Sequence, residues 1–196
     1  MSALRLFLAI DIPPRAREIV TTVQNRFKTL GFKISLVRPG NIHLTLKFLG
    51  DTPLEQVDNI KKNVSEAVDS ISVFKVALDG VGVFPNFKKP RVLWIGLKNP
   101  HKHLKVLQEN IDSKMMQLGF PKEEKKFDPH LTLARIKHAQ GKIKKRFEGL
   151  KQEVESVPLI DSEFFQVDSV RLIQSELTPK GSIYTTLEKF PLEKGA

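Results

Sequence analysis

The same four residue types, His-Leu-Thr-Leu, stand at His43 to Leu46 and again at His130 to Leu133. Imidazole titrates near neutral pH, so of two such rings one can be neutral and take up a proton while the other is protonated and gives one away. A threonine hydroxyl can donate a hydrogen bond to a non-bridging phosphoryl oxygen. Two histidines and two threonines gathered around one phosphorus centre would therefore suit in-line displacement, one ring activating the nucleophile and the other protonating the departing oxygen. Such a reaction needs no metal ion. The residue types leave open which histidine takes which part.

For this chemistry the four side chains must share a surface. Successive side chains alternate along a strand, so His43 and Thr45 fall on one face and Leu44 and Leu46 on the other, and likewise in the second motif. The leucine face then belongs to the core and the histidine face is free. Around each motif the same elements recur. Arg5 to Ile10 and Arg91 to Leu97 are short apolar runs suited to buried strands. Pro13-Pro14 opens a helix closed near Thr29-Leu30-Gly31-Phe32, and Asn99-Pro100 opens one closed by Gln117-Leu118-Gly119-Phe120. Arg5 lies 38 residues before His43 and Arg91 lies 39 before His130, while Gly31 and Gly119 lie 12 and 11 residues before them.

In the first copy Lys33 to Val37 adds a short strand. Thr52-Pro53-Leu54-Glu55 carries the capping signature of a helix running to about Ser70, followed by a strand over Val73 to Phe84. Gly141 to Val157 and Phe164 to Ile173 take these places in the second copy. The predicted fold is α+β, a single bilobal domain over residues 1–196 built from repeats of about 1–84 and 90–175. The two lobes are related by an approximate two-fold axis, with largely antiparallel sheets and flanking helices around a central cleft. A hairpin over residues 170–190, turning at Thr178-Pro179-Lys180-Gly181, completes one sheet.

Composition narrows the setting. A chain of 196 residues with 40% hydrophobic and 28% charged residues can bury a core and is not of the disordered type. No apolar run approaches the roughly 20 residues that span a bilayer, so no membrane partner is expected. Asp11, Pro13 and Arg15 interrupt the amino-terminal apolar stretch, against a secretory signal. The absence of Cys rules out disulfides, thiolate nucleophiles and Cys-bound zinc, and the cytoplasm is the expected location.

The net charge of +10 is unevenly spread: residues 81–151 hold 17 Lys or Arg against 6 Asp or Glu, the remainder 15 against 16. Such a concentration favours a polyanion such as nucleic acid, although a Lys-rich surface of a heat-adapted protein has the same composition. His101 and His103 lack a third ligand at metal-binding spacing and would diverge on a helix, and His138 has no partner, so no metal or cofactor is expected. Phe84 and Phe87 are candidates for stacking a base, whereas Trp94 belongs in the core.

Both His-x-Thr-x motifs, together with Arg5 to Asp11, His43 to Gly50, Phe84-Pro85 ahead of Pro90 to Gly96, His130 to Arg135, and a terminal hairpin with Gly181 and Tyr184, resemble the 2H phosphoesterases. Within them the chain is similar to the RNA 2′,3′-cyclic phosphodiesterases, long called 2′-5′ RNA ligases. The resemblance covers essentially the whole chain. It implies a basic central cleft, no metal, and hydrolysis of a terminal 2′,3′-cyclic phosphate on RNA to a 2′-phosphomonoester; tRNA fragments are among the candidate substrates, and a monomer is expected. It also implies His43 as proton donor to the leaving 3′ oxygen, His130 as the acceptor that activates water, Thr45 and Thr132 on the phosphate, and Arg135 in contact with substrate.

Strict alternation puts Arg135 on the leucine face, so it needs a bend in its strand to reach the cleft. By the same rule Lys47 shares a face with His43 and Thr45 and is expected to meet the RNA backbone, with Phe84 as a further contact. Two rival functions remain: a non-catalytic RNA-binding module that keeps the pocket, and 2′-5′ RNA ligation as the main activity. The chain has no Gly-Lys-Ser/Thr phosphate loop to supply energy for ligation.

Overall fold

Leu6, Leu8 and Ile10 bury one face of the first strand, while Phe7 and Ala9 sit on the other. That alternation runs through β1 (Ala3–Asp11), which leads into α1 (Pro14–Lys28) directly after Pro13. The computed structural model describes residues 2–28, 34–98, 102–136, 143–157, 164–179 and 181–194. After α1 come β2 (Ile34–Leu36), β3 (His43–Pro53), α2 (Val57–Val68) and β4 (Phe74–Phe84). The second half follows with β5 (Val92–Lys98), α3 (His103–Gln117), β6 (His130–Ile136), α4 (Ile143–Ser156), β7 (Phe165–Val167), β8 (Ser169–Thr178) and β9 (Gly181–Pro191). The expected helix ends around Gly31 and Asn99-Pro100, and His101 and His138, lie outside the described residues.

The strands form one sheet in the order β7-β4-β5-β6-β3-β1-β8-β9, with β2 added against β6. Each ladder between these strands is antiparallel. The two motif strands are central neighbours, joined through the pair Leu44 and Leu131. The sheet curls into a half-barrel: β7 and β8 follow one another in the chain, yet β7 pairs with β4 and β8 with β1. The stretch expected as one strand over Phe164 to Ile173 is therefore two, broken at Asp168.

The repeats are interlocked. The last strand of the first repeat, β4, pairs with the first strand of the second, β5, and the last strand of the second, β8, pairs with β1.

Helices cover one face of the sheet. Leu44, Leu46, Leu131 and Leu133 join the core with Val20, Val23 and Phe27 of α1 and Leu107, Ile111 and Met115 of α3. Burial of each such side chain contributes roughly 1.5–3 kcal/mol. A second, small cluster of Phe7, Ala9 and Ile173, flanked by Tyr184, lies on the opposite face. The helix expected from Thr52 starts later. β3 runs on to Pro53, Thr52 is buried in it with its hydroxyl donating to the Gly50 carbonyl, and a 3-10 turn over Leu54–Gln56 precedes α2.

Candidate active site

With Leu44 opposite Leu131 in an antiparallel pair, the residues on either side place His43 opposite Thr132 and Thr45 opposite His130. The two histidines are thus diagonal neighbours, their backbones about 7–8 Å apart in regular geometry. They share the face left uncovered by the helices. A cavity of about 330 Å³ opens there, lined by His43, Thr45, Thr132 and Arg135 with Phe48 and Tyr184. His130 lies near enough for its charge to act on His43.

Both rings are held in the same way. His43 Nδ1–H donates to the Asn41 carbonyl at 2.8 Å and His130 Nδ1–H donates to the Asp128 carbonyl at 2.7 Å. A carbonyl can only accept, so the proton of each neutral ring sits on Nδ1, leaving Nε2 to accept or, when protonated, to donate. The supporting turn of His43 is itself tied down. Arg17 donates to the Pro39 carbonyl at 2.8 Å, and the Asn41 amide donates to the Ser182 carbonyl at 2.8 Å.

Aromatic rings enclose each imidazole. His43 packs against Phe7, with centroids 4.8 Å apart, and edge-on to Tyr184 at 5.4 Å. His130 packs edge-on to Phe84 at 5.0 Å, and Trp94 lies 4.9 Å beyond Phe84. Phe84 thus stands beside His130. Trp94, expected in the core, is only part-buried and belongs to this aromatic group, lying so close over Gly82 that a Cβ there would collide with its ring. Phe7 and Tyr184 were legible as apolar strand residues only, because their contact with His43 arises from pairing between distant strands. Phe87 is part-buried and packs on the main core.

Burial pushes the His43 imidazole below its ordinary value of 6.5. The hydrogen bond to Asn41 and the charge of Asp11 oppose that shift, and His130 adds to it. Asp11 pairs in register with His43 and is held by Arg17 at 2.9 Å and Arg171 at 3.0 Å.

Two expectations built on strict alternation change. Lys47 is 2% exposed and lies on the core side, where Nζ meets Asp112 at 2.5 Å and the Pro121 carbonyl at 2.8 Å. It does not reach the cleft. The cause is a β-bulge: Leu8 pairs with Lys47 but Ala9 with Thr45, so Leu46 is an extra residue and Lys47 and Phe48 change face, until a second irregularity at Leu49 restores the alternation. Phe48, 64% exposed, takes the cleft position that alternation assigns to Lys47. The second motif has the same device. Leu93 pairs with Ala134 but Trp94 with Thr132, making Leu133 the extra residue and turning Arg135 into the cleft. The bend that Arg135 required is this bulge.

Residues 10–94 and 95–184 each match the family model described as LigT-like phosphoesterase. The chain belongs to this family. It is 37% identical over 187 residues to an RNA 2′,3′-cyclic phosphodiesterase of Methanocaldococcus jannaschii, spanning 95% of this chain and 100% of that one. It is 34% identical over 188 residues to the protein of the same name from Methanothermobacter thermautotrophicus, spanning 96% and 98%. Among solved structures, that of a Thermus thermophilus protein superposes with a TM-score of 0.81 at 29% identity, covering 98% of this chain and 100% of that one. Escherichia coli LigT complexed with 3′-AMP gives 0.77 at 25% identity, covering 98% and 99%. This LigT-like chain is a hydrolase of phosphoesters, and its bilobal α+β fold is that of its relatives. The two family matches also divide near residue 94, one to each His-Leu-Thr-Leu motif.

Proposed function

We propose that the protein opens terminal 2′,3′-cyclic phosphates on RNA to 2′-phosphomonoesters with the two histidines as general acid and base. One observation carries the reading: two imidazoles, each with Nδ1 committed to a backbone carbonyl, stand with two threonines on one face of the sheet, where His43, Thr45 and Thr132 line the cavity. His130 takes a proton from water, whose oxygen attacks phosphorus. The bond from phosphorus to the 3′ oxygen breaks, and His43 delivers a proton to that oxygen. Thr45 and Thr132 hold the non-bridging oxygens in the line of displacement, and Arg135 pairs with negative charge on the substrate. The printed names of the relatives support the choice of RNA cyclic phosphate as substrate.

Among the described residues no three His, Asp or Glu cluster as a metal-binding group. The reaction as drawn routes no step through a metal. The test is an RNA ending in a 2′,3′-cyclic phosphate, incubated with the protein and excess chelator. The expected product is the 2′-monoester, formed at an undiminished rate. Loss of activity with chelator, or a 3′-monoester, overturns the mechanism, and binding without turnover leaves a non-catalytic RNA-binding module.

A further inference from the structure

Each catalytic strand carries a bulge just past its His-Leu-Thr-Leu motif, and each bulge is fixed from beneath by a buried polar group of a helix. Gln24 on α1 is 2% exposed and its amide donates to the Leu133 carbonyl at 2.8 Å and to the Val37 carbonyl at 2.8 Å. Leu133 is the extra residue of the β6 bulge, and its carbonyl also accepts from the Val37 amide at 2.9 Å. On α3 the corresponding group is Asp112, which holds Lys47 beside the β3 bulge. The spacing between Gln24 and Asp112, 88 residues, equals that between Gly31 and Gly119 of the two repeats. In both cases the helix belongs to one repeat and the bulged strand to the other.

We infer that Gln24 is a positioning residue for the reaction: by holding the Leu133 carbonyl it keeps the β6 bulge in the register that faces Arg135 into the cleft. The inference rests on the phosphodiesterase reading. A buried carbonyl has two lone pairs to satisfy, and at the bulge the Val37 amide fills one of those on Leu133 while Gln24 fills the other and ties the Val37 carbonyl to the same point. Without that donor, the regular pairing that would return Arg135 to the leucine face becomes the better-satisfied alternative.

The test is a double-mutant cycle on cyclic-phosphate hydrolysis with Gln24→Met and Arg135→Ala, each variant first shown by circular dichroism to be folded. Gln24→Met should lower kcat/KM by roughly tenfold in the parent chain, mostly through KM, and by less than about twofold in the Arg135→Ala background. An equal loss in both backgrounds means that Gln24 acts on the fold at large and overturns the inference. If Gln24→Met does not fold, Gln24→Asn, which keeps the amide but shortens its reach, is carried through the same cycle. A parent protein that binds but does not hydrolyse a cyclic phosphate defeats the functional reading instead, and the two failures are thereby separate.

Discussion

In the proposed reaction two chemically identical rings take opposite parts, and their surroundings differ. His43 is part-buried against Phe7 and Tyr184, and desolvation lowers the pKa of its imidazole from the ordinary value. An anionic phosphate entering the cleft acts in the other direction, because negative charge favours imidazolium. His43 should therefore titrate below 6.5 in the free protein and at higher pH with 2′-AMP bound, as read from its imidazole resonances by NMR. A midpoint that does not rise on binding would remove His43 from the donor role. The same proton economy predicts that His43→Ala and His130→Ala each cost about a hundred- to ten-thousandfold in kcat on a cyclic-phosphate RNA while the melting profile stays that of a folded protein. Turnover within a few-fold of the parent in either variant would end the two-histidine scheme. The motif residues themselves were legible because His and Thr two apart in a strand share a face whatever surrounds them.

Beyond four residues that simple rule fails, and the reason is local. Alternation in His43 to Phe48 assigns Lys47 to the cleft and Phe48 to the core, and in His130 to Arg135 it assigns Arg135 to the core. Each bulge inverts its own case. Nothing in the strand sequence announces an extra residue, since the deciding contacts come from α1 and α3, 109 and 65 residues away along the chain. Thr52 was misread similarly, because its capping pattern is outweighed by pairing of β3 with β1 out to Pro53. For the β3 bulge the energetics are steep. Lys47 and Asp112 have side chains 1% and 10% exposed, so Asp112→Ala leaves a buried ammonium unpaired. Its expected cost is about 3–5 kcal/mol in urea unfolding, and Lys47→Met in the same chain should recover most of it. No recovery would mean that the pair is not what sets this segment.

At the scale of the molecule, charge and topology bear on function separately. The surplus of Lys and Arg in residues 81–151 predicts that KM for a cyclic-phosphate oligonucleotide rises with salt far more steeply than KM for a nucleoside 2′,3′-cyclic phosphate, which offers only one anionic group. Parallel salt dependences would assign the basic surface to solvation alone. Among the described residues no helix is long and apolar enough to cross a membrane. The matched spacings of 38 and 39 residues pointed to two copies, and the α+β class and the antiparallel pairing were readable from alternating strand patterns set among helix signals. The exchange of final strands between repeats was not, because spacing records order along the chain and not which edge a strand joins.

That exchange limits how the chain can be divided. Cut between β4 and β5, neither fragment keeps a complete set of neighbours: the leading piece leaves β1 without its outer partner, and the trailing piece leaves β5 likewise. Each could be satisfied only by a complementary fragment or by a twin of itself donating the missing edge. Two copies of one repeat exchanging that edge would each bring one histidine to a shared face.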